Sequence, residues 1–212
     1  MAKIIAIEGV GGSGKTTLAA ALTAHLTSIG HPTQTIKRPN HDAWAAFCAH
    51  NPNPTPTQLD IFMRLDCSDA LSTARLAPAD FIILDRHYIS SAIYQHPVDY
   101  LQRIDADVAL HRRPHLWVWC DSPTSVIIDR LAAREDDRPH LDDPRRPDII
   151  AGRRELYGRA AKHIGGTHAH WWTDDGGTCS WSHPGGAVGV TGWDEGDEAE
   201  GVAWLAERIA AL

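Results

Sequence analysis

The chain has few of the features that would send a first reading elsewhere. Its four cysteines, Cys48, Cys67, Cys120 and Cys179, stand far apart with no C-x-x-C pair. That spacing fits a reducing compartment and excludes a disulfide framework or a cysteine-built zinc site. No apolar stretch approaches the ~18 residues of a membrane span, and Met1-Ala2-Lys3 runs into an apolar segment without a cleavage-site pattern. The expectation is a cytoplasmic chain with no membrane partner. Positive charge is also short: 20 Lys and Arg against 27 Asp and Glu leave a formal charge of −7. A nucleic-acid coat would be basic, so no nucleic-acid partner is expected. No internal repeat is visible. Thirteen histidines are present. His168 with His170 and His111 with His115 have ligand-like spacing, but no cysteine stands near, so zinc is not expected.

What is present is an alternation of short apolar runs and helical segments. Lys3 to Glu8 reads as a buried strand, then a Gly-rich turn, then a helix from Lys15 to Ser28. Gly30 and Pro32 end that helix. Thr33 to Lys37 reads as a second strand. Asn51 to Thr57 alternates proline with polar residues and reads as a loop. Leu59 to Leu76 reads as a helix, Phe81 to Leu84 as a strand ending at Asp85, Leu116 to Cys120 as another ending at Asp121. Pro123 to Arg134 and Ile149 to His163 read as helices, Ala169 to Thr173 as a last strand, and Ala199 to Leu212 as an amphipathic helix. This order predicts an α/β fold: a five-stranded parallel sheet with helices on both faces. A single domain over 1–212 is expected. Within it lie a charged, proline-rich lid at about 134–148 and a Gly/Trp-rich insertion at about 176–196, taken as a surface loop. In such sheets ligands bind beyond the carboxyl ends of the strands, where Glu8, Lys37, Asp85 and Asp121 fall.

Gly9-Val10-Gly11-Gly12-Ser13-Gly14-Lys15-Thr16 matches G-x-x-x-x-G-K-[ST] in full, between a strand and a helix, as that motif requires. Its glycines let successive backbone N–H groups turn toward phosphate oxygens at a helix N-terminus. Lys15 brings a cation to the β- and γ-phosphates. The Thr16 hydroxyl suits Mg²⁺, a hard ion that takes oxygen ligands. The predicted ATP-binding set is Gly9, Gly11, Gly12, Ser13, Gly14, Lys15, Thr16 and Thr17. No N-K-x-D guanine-reading segment is present. A second constellation, Asp85-Arg86-His87-Tyr88-Ile89-Ser90-Ser91-Ala92-Ile93-Tyr94-Gln95, begins where the third strand ends. Asp85 is placed to hold the metal or its waters, and Arg86 offers a planar fork suited to phosphate.

These segments together resemble the thymidylate kinase family. Ile7-Glu8-Gly9 with Gly12 to Thr17 is similar to the family's first motif. Asp85-Arg86-His87…Ser90-Ser91…Tyr94-Gln95 resembles its D-R-[YH]-x-x-S-[TNS]-x-x-Y-Q segment. Lys37-Arg38-Pro39, the strand at Leu116 to Asp121 with Pro123 and Arg130, and the stretch Arg134 to Arg138 resemble later motifs. The likeness covers about residues 3 to 173.

The resemblance implies ATP-dependent phosphorylation of a nucleoside monophosphate, dTMP or a related, modified pyrimidine deoxynucleotide, with Mg²⁺ and as a homodimer. Arg86 would hold the acceptor phosphate with Lys37 or Arg38, and Arg64 would read the base. Ser91 would lie near the pyrimidine, Tyr94 under the sugar, with Gln95 beside them. With no arginine between Gly9 and Lys15, Arg134 and Arg138 would supply transition-state cations, backed by Arg145 and Arg146. The catalytic set is then Lys15, Arg86, Arg134 and Arg138, with Thr16 and Asp85 for the metal. Two positions depart from the family: Gly11, where a carboxylate usually meets the sugar, and Asp60, where an aromatic usually stacks on the base. The alternatives are a kinase of nucleosides or other small molecules, with Glu8 as base, and a nucleotide-binding module without turnover.

Overall fold

A computed structural model of the chain describes residues 2–111, 113–133, 146–173, 177–182, 188–193 and 197–212. Its centre is one sheet, in the order β2-β3-β1-β4-β5-β6-β7. The first five strands are β1 (Lys3–Glu8), β2 (Thr33–Lys37), β3 (Phe81–Asp85), β4 (Leu116–Asp121) and β5 (His168–Thr173), and they run parallel. The expected parallel core is therefore present, but the sheet is larger than five strands. β6 (Gly177–Ser182) and β7 (Val188–Trp193) extend it as an antiparallel hairpin beyond β5.

That hairpin corrects the expectation of a surface loop over 176–196. Its glycines permit close packing instead of breaking the strands. In β6, Cys179 is fully buried and Trp181 packs beside it, an alternation of period two that seats one face on the core. In β7, a Cβ on Gly189 would come within 3.2 Å of the Trp204 ring, so the missing side chain makes room for the last helix. Arg208 stacks on the same ring, 3.5 Å from its centroid.

Period-two alternation also builds the two core layers. Ile4, Ala6, Ile82, Leu84, Trp117 and Trp119 face one side. They pack with α3 (Pro56–Leu76), α4 (Tyr88–Gln95), α5 (Tyr100–Leu110), α6 (Thr124–Ala132) and α7 (Pro147–His163). Ile5, Ile7, Phe81, Ile83, Val118 and Cys120 face the other, against Leu18, Leu22 and Leu26 of α1 (Lys15–Ser28) and Leu205 and Ile209 of α8 (Glu198–Ala210). Both faces being covered explains why these strands read as unbroken apolar runs.

Three helices, α2 (His41–His50), α4 and α5, lie where none was expected. α2 is capped by the Asn40 side chain, which accepts from the Asp42 and Ala43 N–H groups. Its Trp44 and Phe47 stack against Phe62 of α3. α5 buries Tyr100, Ile104 and Asp107, one helical face. α3 begins three residues earlier than the expected Leu59, at a Thr55–Gln58 capping box followed by Pro56.

Candidate active site

Everything at the carboxyl edge of the sheet converges on the turn after β1. Gly9 has φ 149°, and a Cβ there would run into the Cys120 carbonyl of β4. The strand end therefore admits only glycine as the chain turns into the loop. Lys15, the first residue of α1, is 5% exposed and its Nζ donates to the Val10 carbonyl at 2.5 Å and approaches Ser13 Oγ at 3.4 Å. The ammonium thus sits within the ring of backbone that the motif forms. Burial, reinforced by the nearby Arg86 charge, lowers its pKa to about 7, while Asp85 acts in the opposite sense.

Beside it, Thr16 Oγ1 donates to Asp85 Oδ2 at 2.6 Å. These are two hard oxygen atoms brought together from the first helix and the end of β3. That donor chemistry suits magnesium, so the residues present fit the metal that the motif implies. Arg86 follows with φ 79°, a left-handed conformation costing roughly 1–3 kcal/mol in a non-glycine residue. The turn swings its guanidinium back across the sheet edge. Nη1 donates to Ser90 Oγ at 3.0 Å, the Gly9 carbonyl at 3.3 Å and Tyr157 Oη at 3.4 Å. Underneath, Glu8 is fully buried and accepts from the N–H groups of His87 (2.8 Å) and Ser90 (3.3 Å) and from the Ser90 hydroxyl. Burial raises the Glu8 pKa, and the donors from Ser90 and the Arg86 charge only partly offset it.

Among curated proteins, the thymidylate kinases of Xanthomonas oryzae pv. oryzae (strain PXO99A) and Xanthomonas euvesicatoria pv. vesicatoria (strain 85-10) are each 32% identical to the chain over 149 residues. The match covers 66% of the chain and 64% and 65% of those proteins. Over this match the chain is similar to thymidylate kinases. The thymidylate kinase of Xylella fastidiosa (strain M12) is 28% identical over 149 residues, 67% of its length. The chain thus spans under two thirds of the Xanthomonas relatives it matches. No protein-family model matches it.

The remaining expected residues lie in four places. Tyr94 lies close to the phosphate machinery: the Gly11 N–H donates to its hydroxyl at 3.4 Å, and Arg86 and Arg153 lie over its ring at 5.5 and 4.3 Å. Ser91 and Gln95 share α4 with it, and each has a buried side-chain oxygen without a hydrogen-bond partner among the described residues. Lys37 is exposed, whereas Arg38 is 3% exposed and tied into the fold. Its Nε donates to Asp66 Oδ2 at 2.8 Å and one Nη to the Met63 carbonyl at 2.9 Å. Arg64 pairs with Asp60 at 3.4 Å, at the far end of α4 from Arg86. Arg134, Arg138 and Arg145 lie outside the described residues, and Arg146 forks onto Asp148.

Sequence reasoning did not single out Tyr157, Arg153 or Arg154, all on α7. Tyr157 hydrogen-bonds Ser90 at 2.8 Å, and Arg154 grips both oxygens of Asp121 at 2.7 and 2.9 Å. Arg153 and Tyr157 stand one helical turn apart just after a charged segment, which was a readable signal for a shared face. On the opposite side of the phosphate loop, a cavity of about 360 Å³ is lined by Gly12, Thr17, Arg130, Trp171, Thr173 and Glu198. Arg130 spans its rim, donating to Thr173 Oγ1 at 3.1 Å and Ser122 Oγ at 3.2 Å. The two histidine pairs have other partners: His168 Nδ1 accepts from Trp119 Nε1, and His115 Nδ1 from the Ile4 N–H. Among the described residues no helix is long and apolar enough to cross a membrane.

Proposed function

We propose that this chain transfers the terminal phosphoryl group of ATP to a nucleoside monophosphate, dTMP or a related, modified pyrimidine deoxynucleotide, giving the diphosphate. The observation that carries this reading is the meeting at one point of Lys15, the Thr16–Asp85 oxygen pair and the Arg86 fork. The loop amides from Gly9 to Thr17 hold the donor triphosphate, and the cavity beside Arg130 and Trp171 takes its adenine. Arg86 turns the acceptor phosphate toward the donor. Phosphoryl transfer needs positioning and positive charge more than covalent chemistry, and Lys15 and Arg86 provide both. Thr16 and Asp85 would hold magnesium, which neutralises phosphate charge and fixes the donor's orientation. Arg134 and Arg138 are the further candidate cations for the transferred phosphate.

A phosphate acceptor is already an anion, so no general base is required. That agrees with Glu8, whose oxygens already receive three donors from His87 and Ser90. The nucleoside-kinase alternative therefore has no observation in its favour. The reading extends to a cytoplasmic homodimer. On α3, Ile61, Leu65 and Leu76 are 52, 66 and 85% exposed on a single helical face, a surface suited to a second copy. A coupled assay of ADP release, with deoxynucleoside monophosphates as acceptors, tests the function. ADP formation that depends on a monophosphate is expected; equal ADP release with nucleosides or with water alone would overturn it.

A further inference from the structure

Eight residues of α4 separate the phosphate grip from a second polar cluster. At 1.5 Å per residue the helix spans about 12 Å, comparable to the reach of a nucleoside monophosphate from phosphate to the far edge of its base. At its near end stands Arg86. At its far end, His96 Nε2 lies 3.3 Å from Asp60 Oδ1. Asp60 also takes a donor from Arg103 Nη2 and pairs with Arg64, one turn along α3, at 3.4 Å. Behind them Arg103 Nε meets Asp107 Oδ2 at 3.2 Å, and Arg64 Nη2 approaches Asp107 Oδ1 at 3.9 Å.

The cluster has a front and a back. Arg103 and Asp107 have side chains 16 and 4% exposed, whereas Asp60 and Arg64 are 21 and 38% exposed. Burial alone would raise the Asp60 carboxyl, but Arg103, His96 and Arg64 together hold it below the usual carboxylate range. An ionised carboxylate and a guanidinium are thus presented side by side where the outer edge of a base would lie. A methyl group there would displace water from a charge and return no hydrogen bond, a loss of order 1–3 kcal/mol per polar group. A group that donates a hydrogen bond to Asp60, next to a ring oxygen or nitrogen that accepts from Arg64, meets both.

We infer that the Asp60–Arg64 pair selects an acceptor base with a hydrogen-bond donor on its outer edge, either at ring position 5, where thymine bears its methyl, or at the adjacent position 4, where thymine bears an oxygen. The chemistry is shared by two sources: a hydroxymethyl group at position 5 of a uracil-type ring and the amine at position 4 of a cytosine-type ring. Arg103 and His96 are positioning residues that hold Asp60 charged and aimed. The buried Ser91 Oγ and Gln95 Oε1, without hydrogen-bond partners among the described residues, lie along α4 between the two ends. This inference rests on the nucleoside monophosphate reading and deepens it.

The test is the affinity of the full chain for dTMP, dUMP, dCMP and 5-hydroxymethyl-dUMP, measured by calorimetry with a non-hydrolysable ATP analogue present, so that turnover is not needed. The expected result is that dCMP or 5-hydroxymethyl-dUMP, whichever carries the matching donor, binds at least ~10-fold more tightly than dTMP and dUMP. In Asp60→Asn that ratio falls toward one while dUMP affinity changes little. A ratio taken within one variant is insensitive to a general loss of folded protein. Arg103→Gln, which leaves Asp60 in place, is expected to reduce the ratio partially. Equal or tighter binding of dTMP, or an unchanged ratio in Asp60→Asn, overturns the inference. Binding with the expected ratio but without ADP formation would remove the catalytic proposal and leave this one standing.

Discussion

The donor and acceptor ends of this site are built from different materials. The proposed donor end is backbone from one continuous stretch, Gly9 to Thr17, with Lys15 folded into it. The proposed acceptor end is side chains from α3, α5 and the residue that ends α4, with Asp60, Arg64, His96, Arg103 and Asp107 linked in one ionic cluster. A backbone cradle suits phosphate, which all nucleotides share, and it tolerates little change. A side-chain cluster suits what differs between nucleotides, and substitution can retune it. On the proposed function, the first would set whether chemistry occurs and the second on what.

Removing the one side-chain cation inside the cradle should have the largest effect. Lys15→Ala is expected to lower kcat for ADP formation by ~10³-fold, the range for losing a preorganised charge at a transition state. The same variant should keep its thermal midpoint or raise it, because Lys15 is buried with a depressed pKa and costs the fold desolvation. Activity within a few-fold of the starting protein would show that the loop is not the donor site.

The acceptor end should break differently, through stability. Arg38 and Asp66 form an ion pair with side chains 1 and 6% exposed, and Asp66 also accepts from the Asn40 N–H at 2.8 Å. Asp66→Ala leaves a buried guanidinium with one of its nitrogens already without a partner among the described residues. Breaking a buried pair from one side costs about 3–5 kcal/mol. Denaturant unfolding should show that loss, with the acceptor KM rising more than the KM for ATP. Were Arg38 a phosphate ligand and not a structural one, Asp66→Ala would leave stability nearly unchanged.

The same contrast decides what could be read from sequence. The phosphate loop, Thr16, Asp85 and Arg86 were legible because each belongs to a short run whose local order sets its geometry. The parallel strands were legible from their apolar runs. Asp60 was visible as an oddity but its partners were not, since His96 and Arg103 lie 36 and 43 positions away. Arg38 was expected, with Lys37, to assist Arg86; its burial beside Asp66 is a tertiary fact that no short run of sequence carries. The β6–β7 hairpin was misjudged for a physical reason. Glycine weakens a strand's intrinsic propensity, but here Cys179 and Trp181 supply the buried face and Gly189 makes room for Trp204. The alternation was the better guide than the glycine content.

The mildest test sharpens the donor side alone. In the ligand-free protein Lys15 titrates near pH 7, because burial and Arg86 disfavour its charge. A bound triphosphate reverses that balance and favours the ammonium, so the pKa of Lys15 rises on binding. Nucleotide then binds the protonated form preferentially. Above about pH 7 the free protein must first take up a proton, and each unit of pH can cost up to ~10-fold in apparent Kd. ATP affinity should therefore be flat below pH 7 and weaken from pH 7 to 9, levelling once the pH exceeds the bound-state pKa. Calorimetry in buffers of different ionisation enthalpy should show uptake approaching one proton per nucleotide at pH 8. Acceptor affinity, which draws on arginines and on Asp60, should stay level over the same range. A flat ATP profile with no proton uptake would mean that Lys15 is charged before the nucleotide arrives, and that its burial beside Arg86 does not disfavour the ammonium.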